Sequence, residues 1–338
     1  MEQLKSAIAF FVFNRPDTTR QVFEAIRAVR PRQLLIVSDG CRPDRPEDVA
    51  NCDQVKQIVS AVDWDCQIKT NFSPTNLGCS LRFATGLDWV FQQVDEAIIL
   101  EDDCLPDRSF FRFCEALLEK YRSVPQVTQI CGTNRLYEWQ SDRQSYHFAH
   151  YGSAWGWATW RRAWQHYDHE RRQWQNPAVR ESIRALIDDP QQFEYFTKTC
   201  EIDMWDYKWA FAQLSHQGLT VIPALNLVKN IGFSGQATHT KGMSITHVNS
   251  TFAPAAMDFP LVSPPELKAD REYDRQHFEL SLGRPSAACA GQMATRLSQS
   301  GNAIAAYVTI GYLLKLYPQS DAIGKAHTHT LARLRQKR

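Results

Sequence analysis

The 338 residues carry 38 Lys and Arg against 37 Asp and Glu, a formal net charge of +1, which excludes the one-signed field of a general nucleic-acid or anionic-membrane binder. An apolar share of 43% is enough for an ordinary buried core, in one large domain or two modest ones. Nine cysteines are scattered, odd in number and without a Cys-x-x-Cys pair, and the start lacks a basic-then-apolar leader, so a reducing, cytoplasmic setting is expected.

Apolar, β-prone runs alternate with helical patterns from the start, the sequence form of a mostly parallel sheet covered by helices on both faces. Ile8 to Phe13 reads as the first buried strand. Pro16 and Asp17 open a helix with Val22, Phe23 and Ile26 at helical spacing, ending before Pro31. Leu34 to Val37 is the second strand, stopping at Ser38-Asp39-Gly40. Asp53 to Val62 reads as helix, Gln67 to Thr70 as a third strand, and Ser80 to Val94 as the next helix. Ala97 to Leu100 is then a buried strand that delivers Glu101-Asp102-Asp103 at its carboxyl end, where open α/β sheets bind ligands. Pro106 suits the first turn of a further helix bearing Phe110, Phe113, Leu117 and Leu118.

After about residue 150 the character changes: seven of the ten tryptophans fall between Trp155 and Trp209, among helical rather than strand patterns. Phe252 to Pro265 is rich in Pro and poor in periodicity. Ala287 to Leu334 reads as two or three amphipathic helices with a break at Pro318, and one tetratricopeptide-like hairpin is too weak a signal for a repeat protein. Ala303 to Leu316 is shorter than the roughly 20 residues of a membrane span and contains Lys315. No span is therefore expected, and no nucleic-acid partner. The basic end, Arg333, Arg335, Lys337 and Arg338, leaves a peripheral membrane association open beside the plainer reading of a solvated helix end.

Three consecutive carboxylates after a buried strand repel one another, and their desolvation calls for a cation or for hydrogen bonds. A hard ion, Mg²⁺ or Mn²⁺, suits oxygen ligands and can be held by one or two carboxylates with phosphate oxygens and water. An ordinary acidic turn is the competing reading.

The run Ala97 to Asp103, with Pro106, Asp107, Phe110 and Phe111 behind it, resembles the metal motif of the N-acetylglucosaminyltransferase I family, whose members have the GT-A fold, and more loosely that of family 2-like inverting glycosyltransferases. The resemblance implies an α/β, GT-A (Rossmann-like) sheet flanked by helices, here with an appended C-terminal helical segment. It implies Asp103 as the metal ligand and Glu101 and Asp102 as donor contacts. Phe13-Asn14-Arg15 resembles a strand end whose arginine meets the donor, which makes Arg15 a nucleotide or phosphate contact, with a surface salt bridge as the alternative. Val37 to Cys41 resembles a strand end whose aspartate reads a uracil ring, so Asp39 is either that group or a turn residue. Asn76-Leu77-Gly78 with Arg82 is similar to a loop that brings an arginine near the diphosphate, or else is a plain helix start.

Gly152-Ser153-Ala154-Trp155-Gly156-Trp157 looks like the family's aromatic, Gly-rich segment beside the acceptor. Core packing is the default for these rings, with Trp155 or Trp157 favoured to face the pocket. Trp205-Asp206 resembles a Trp-Asp element whose aspartate is the catalytic base. Inversion needs one, because the acceptor hydroxyl must lose its proton as it attacks the anomeric carbon. Asp203 would share a helical face with Asp206 and is the fallback, Glu201 a weaker one. Gly232, Ser234, Gly235 and His239 correspond in position to a loop of that family that closes on the donor and keeps water out, with His239 either a diphosphate or metal contact or a plain loop residue.

The expected organisation is a transferase domain over 1–255 (nucleotide-sugar half 1–150, acceptor half 151–255), a linker over 256–285 and a helical tail over 286–338. The expected activity is metal-dependent, inverting transfer from a nucleotide-diphosphate sugar, UDP favoured, to a saccharide, lipid-linked or peptide acceptor. No Gly-x-Gly-x-x-Gly follows the first strand, which argues against a dinucleotide oxidoreductase or a pyrophosphorylase. The remaining alternative is a carbohydrate-binding or assembly protein of this fold without turnover.

Overall fold

The computed structural model describes residues 3–187, 189–232, 254–283, 285–299 and 303–336. Its centre is a sheet of eight strands in the order β3-β2-β1-β4-β8-β6-β9-β7. These are β1 (Ala7–Val12), β2 (Gln33–Ser38), β3 (Gln67–Phe72), β4 (Glu96–Glu101), β6 (Val127–Cys131), β7 (Tyr146–Ala149), β8 (Trp157–Trp160) and β9 (Leu219–Pro223), while β5 (Cys104–Pro106) pairs with β10 (Val228–Asn230) in a short antiparallel ribbon. β8 is antiparallel to both β4 and β6, and β7 to β9; the other pairings are parallel. The sheet is therefore mostly parallel, as expected of a GT-A, Rossmann-like α/β fold.

Period-two side-chain direction sorts the core. Ile8, Phe10 and Val12 of β1, Leu34 and Ile36 of β2, and Ile98 and Leu100 of β4 point to one face. There they meet Phe23 and Ile26 of α1 (Pro16–Val29), Val55 of α2 (Glu47–Ser60), and Phe110 and Leu117 of α4 (Arg108–Tyr121). Ala9, Phe11, Leu35, Val37, Ala97 and Ile99 point to the other face, onto Phe83, Leu87 and Val90 of α3 (Cys79–Gln93) and the tryptophans that follow. Full burial of each large side chain contributes about 1.5–3 kcal/mol. Strands covered on both faces read as continuous apolar runs, which is why β1, β2 and β4 were visible in the sequence.

The second half departs from expectation in two ways. The tryptophan-rich stretch supplies β8 to the middle of the sheet, with Trp157 and Trp160 both buried. The span expected to be a linker, 256–285, packs on the body: Met257 and Ala269 join the first core, and helix Arg271–Ser281 buries Tyr273 and Leu280. The tail helices Ala287–Gln299, Ala303–Leu316 and Asp321–Gln336 pack on one another and share a core with Leu136, Tyr137 and Ile222 of the body. Among the described residues no helix is long and apolar enough to cross a membrane, and all nine cysteines are free thiols.

Candidate active site

The strand order places the site. From β1 the chain steps through α1 to β2 on one side, and β3 leads through α3 to β4 on the other. The carboxyl ends of β1 and β4 therefore flank the point where strand order reverses, the crevice in which open α/β sheets bind ligands. Phe13-Asn14-Arg15 leaves one strand there, and Glu101-Asp102-Asp103 the other.

The two ends are tied directly. The Phe13 N–H donates to Asp102 Oδ2 at 3.1 Å, and Arg15 Nη1 donates to Asp103 Oδ2 at 2.7 Å, with Asp102 Oδ1 3.9 Å away. The ribbon closes over the same acid. Ile231 N–H donates to the Asp103 carbonyl at 2.7 Å, Asn230 Nδ2 lies 3.4 Å from Asp103 Oδ1, and a Cβ added at Gly232 would fall 2.3 Å from Asp103 Oδ2. Gly232, expected as a lid residue, is thus the wall of the Asp103 carboxylate. Ser234, Gly235 and His239 lie outside the described residues.

The acids are poorly compensated. Burial, then the fields of Asp103, Asp102 and Asp206, push the Glu101 carboxyl well above its ordinary value; burial, then Asp103, bring Asp102 up to about 7. Such shifts mark negative charge in want of a counter-charge beyond Arg15. Among the described residues no three His, Cys, Asp or Glu side chains converge as a ready-made ligand set. A divalent ion at Asp103 would accordingly draw its remaining oxygens from a substrate and from water.

Asp206 stands in the first turn of α8 (Trp205–Ser215). Burial raises its carboxyl pKa, and the Tyr207 N–H holds its Oδ1 at 3.0 Å. It is near enough to Glu101 to bear on that acid's ionisation. The Cys79 thiol, at the start of α3, is raised first by desolvation, then by Glu101, Asp206 and Asp103, with Arg15 opposing. The strand-tip acids, Arg15 and Asp206 therefore belong to one neighbourhood. Asp203 behaves differently. It is exposed, lies 2.5 Å from Lys208 Nζ, accepts from Ser80 Oγ at 3.2 Å, and is held below the usual carboxylate range by Lys208.

Beside Asp206 opens a cavity of about 330 Å³ that is also lined by Trp155, Gly152, Gln192, Tyr195 and Arg135. Of the rings expected to face a ligand, Trp155 lines this cavity. Trp157 and Trp205 do not: they are 0% and 3% exposed and stack in the core, because each lies where α3 and α8 press on the sheet. Gly156 serves the backbone, with φ +63 and its carbonyl accepting from Gly132 N–H at 2.7 Å.

Two further expected contacts turn inward. Asp39 accepts from the N–H groups of Gly40, Leu77 and Gly78 and from Asn76 Nδ2, at 2.9 to 3.1 Å, so its carboxylate organises the loop before α3. Arg82 is buried, donating to the Ser38 and Asn71 carbonyls at 3.1 and 2.5 Å, and so clamps β2 and β3 rather than reaching the strand-tip acids. Arg135 and Tyr207 were not singled out in the sequence. Arg135 lies in no periodic or motif-bearing context that would have marked it, and Tyr207 directly follows the Trp205-Asp206 pair without itself belonging to the element that pair resembles.

No protein-family model matches the chain, and no curated protein does. Solved structures similar to it include a cytidylyltransferase from Leptospira borgpetersenii serovar Hardjo-bovis (10% identity, 56% of this chain and 73% of that one, TM-score 0.32). A UDP-glucose pyrophosphorylase complexed with UDP-glucose shares 8% identity over 68% of this chain and 94% of that one, TM-score 0.35. Mouse xyloside xylosyltransferase 1 in its apo form shares 9% over 62% and 81%, TM-score 0.32. Likenesses this distant carry no weight for the site.

Proposed function

We propose that the chain transfers a sugar from a nucleotide-diphosphate donor, a UDP-sugar favoured, to an acceptor hydroxyl with inversion at the anomeric carbon. The observation that supports this most is the meeting of Arg15 with Asp102 and Asp103 at the strand-order reversal, next to a cavity whose wall includes Asp206. The resemblance of the Glu101 to Asp103 and Trp205-Asp206 segments to N-acetylglucosaminyltransferase I enzymes points the same way.

In this reading the donor's diphosphate lies over the tips of β1 and β4, and Arg15, exposed enough to turn toward it, donates to its oxygens. Asp103 would hold Mn²⁺ or Mg²⁺, which when bound offsets the charge gathering on the leaving diphosphate. Glu101 and Asp102 flank the donor, Asp102 also fixing the tip of β1 through the Phe13 N–H. Trp155 offers an apolar wall to the acceptor saccharide. The acceptor oxygen attacks from the face opposite the diphosphate, and its proton passes to the Asp206 carboxylate, whose raised pKa makes it a stronger base than an ordinary aspartate. One carboxylate base then suffices without a covalent enzyme intermediate.

A thermal-shift screen of UDP-, GDP-, TDP- and CDP-sugars, with Mn²⁺ and with EDTA, tests the donor half. Binding at a hundredfold over Kd adds about 2.7 kcal/mol of apparent stability. A cation-dependent rise with one nucleotide class supports the reading, and no rise with any of the four sinks it.

A further inference from the structure

The cavity that holds Asp206 also holds a cation. Arg135, between β6 and β7, lines it together with Tyr195, Tyr207, His277 and Ser281. Its Nη1 lies 3.3 Å from His277 Nε2 and 3.4 Å from Ser281 Oγ. Burial, reinforced by Arg135, holds the His277 imidazole neutral. The nitrogen that meets the guanidinium is then the bare one, and the ring proton sits on Nδ1. His277 is 5% exposed, and its Nδ1 is buried with no hydrogen-bond partner among the described residues. A donor left unsatisfied beside a half-buried cation costs free energy that an incoming oxygen acceptor would recover.

The hydroxyls of Tyr273, Tyr195 and Tyr207 also bear on Arg135. Tyr207 in turn lies within the fields of both Asp206 and Arg135. The residues lining one cavity thus include a carboxylate able to take a proton, a guanidinium, and an imidazole whose Nδ1 lacks an acceptor.

We propose that the acceptor is an anionic saccharide, carrying a carboxylate or a phosphate, whose charged group is received by Arg135 and His277 while Asp206 faces the hydroxyl to be glycosylated. This rests on the transferase reading above and adds the acceptor class to it. Arginine suits the task because its planar fork meets the paired oxygens of a carboxylate or phosphate, and because the pairing is strengthened away from water.

Saturation-transfer NMR on the full chain tests it without turnover, using methyl β-glucuronide, glucose 6-phosphate and methyl β-glucoside as probes. At least one anionic probe should bind about tenfold more tightly than the neutral glucoside, and Arg135→Gln should erase that preference. Comparison of the two anions tells carboxylate from phosphate. His277→Phe, which removes the Nδ1 donor, should lower the preference several-fold and serves if Arg135→Gln does not fold. Equal binding of the neutral probe, no binding by either anion, or an undiminished preference in folded Arg135→Gln would overturn the proposal. A UDP titration with Mn²⁺ run alongside separates the layers. Bound UDP without anion preference removes the acceptor class alone, whereas unbound UDP removes the donor reading.

Discussion

Trp205 lies flat on Phe83, ring centroids 3.7 Å apart and planes 7° from parallel, so the first turn of α8 is registered against α3. Phe83 in turn stacks on Phe11 of β1 at 4.2 Å. A column of three rings thus links the strand that leads to Arg15 with the residue that precedes Asp206. Trp205→Ala should cost about 3–5 kcal/mol of stability and most activity, whereas Trp205→Phe keeps the stack and should retain both to a large degree. Denaturant unfolding with a parallel transfer assay checks this.

The acid cluster should make cation binding visible in stability alone. Burial, then the Asp103 charge, bring the folded Asp102 carboxyl up to about 7, against about 3.9 unfolded. A carboxyl whose pKa is raised on folding contributes stability below the unfolded value and loses it as pH rises through the folded one. Without a divalent ion the protein should therefore weaken between about pH 4 and 7 through this group, and Mn²⁺ should restore more stability at pH 8 than at pH 5. Asp103→Ala should abolish the Mn²⁺-dependent shift in Tm. A shift of unchanged size in that variant contradicts the assignment of the ligand.

Acid should act on a second acid in the opposite sense. Asp48 is buried, accepts from Arg42 at 2.5 and 2.8 Å and from Asn14 at 2.6 Å, and the Arg42 hydrogen bonds bring it down to about 2. A lowered folded pKa gives stability that is present above the unfolded value and lost as pH falls toward 2. That contribution is about 2–3 kcal/mol, and Asp48→Asn should remove most of it at neutral pH while flattening the acid limb of the stability curve. Because Asn14 neighbours Arg15, weaker donor binding should accompany the loss.

Gly232→Ala should displace the Asp103 carboxylate, since the new methyl has no room beside Oδ2. The expected signature is weakened Mn²⁺ binding with Tm in EDTA little changed. Unaltered cation affinity would place Asp103 elsewhere in the working state.

What was legible in the sequence follows the kind of signal each part carries. β1, β2 and β4 are buried on both faces, so their apolar runs stood out, and the acids after β4 were marked by their place at a strand end. The pairing of Trp205 with Asp206 was visible only through resemblance. β8 was missed because Trp157-Ala158-Thr159-Trp160 is short and its antiparallel pairing depends on partners distant in the chain. Asp39 and Arg82 read either as ligand contacts or as part of a turn and a helix start, and in the structure backbone amides and carbonyls engage them. No local pattern distinguishes a polar side chain aimed at a ligand from one aimed at its own loop. The cavity around Arg135 is assembled from α8, helix Arg271–Ser281, α7 (Pro190–Thr199) and the loops after β6 and β7, and convergence of that kind leaves no trace in spacing.

The role of Asp206 is tested most directly by donor turnover and donor affinity in Asp206→Asn, measured with Mn²⁺ at several pH values. Turnover should fall by a factor of about 10²–10⁴ while the donor Kd stays within a few-fold of wild type. The wild-type acid limb should lie above the ordinary aspartate value of about 3.9 and vanish in the variant. Wild-type turnover in Asp206→Asn would contradict proton removal by this carboxylate, and with it the account of the site.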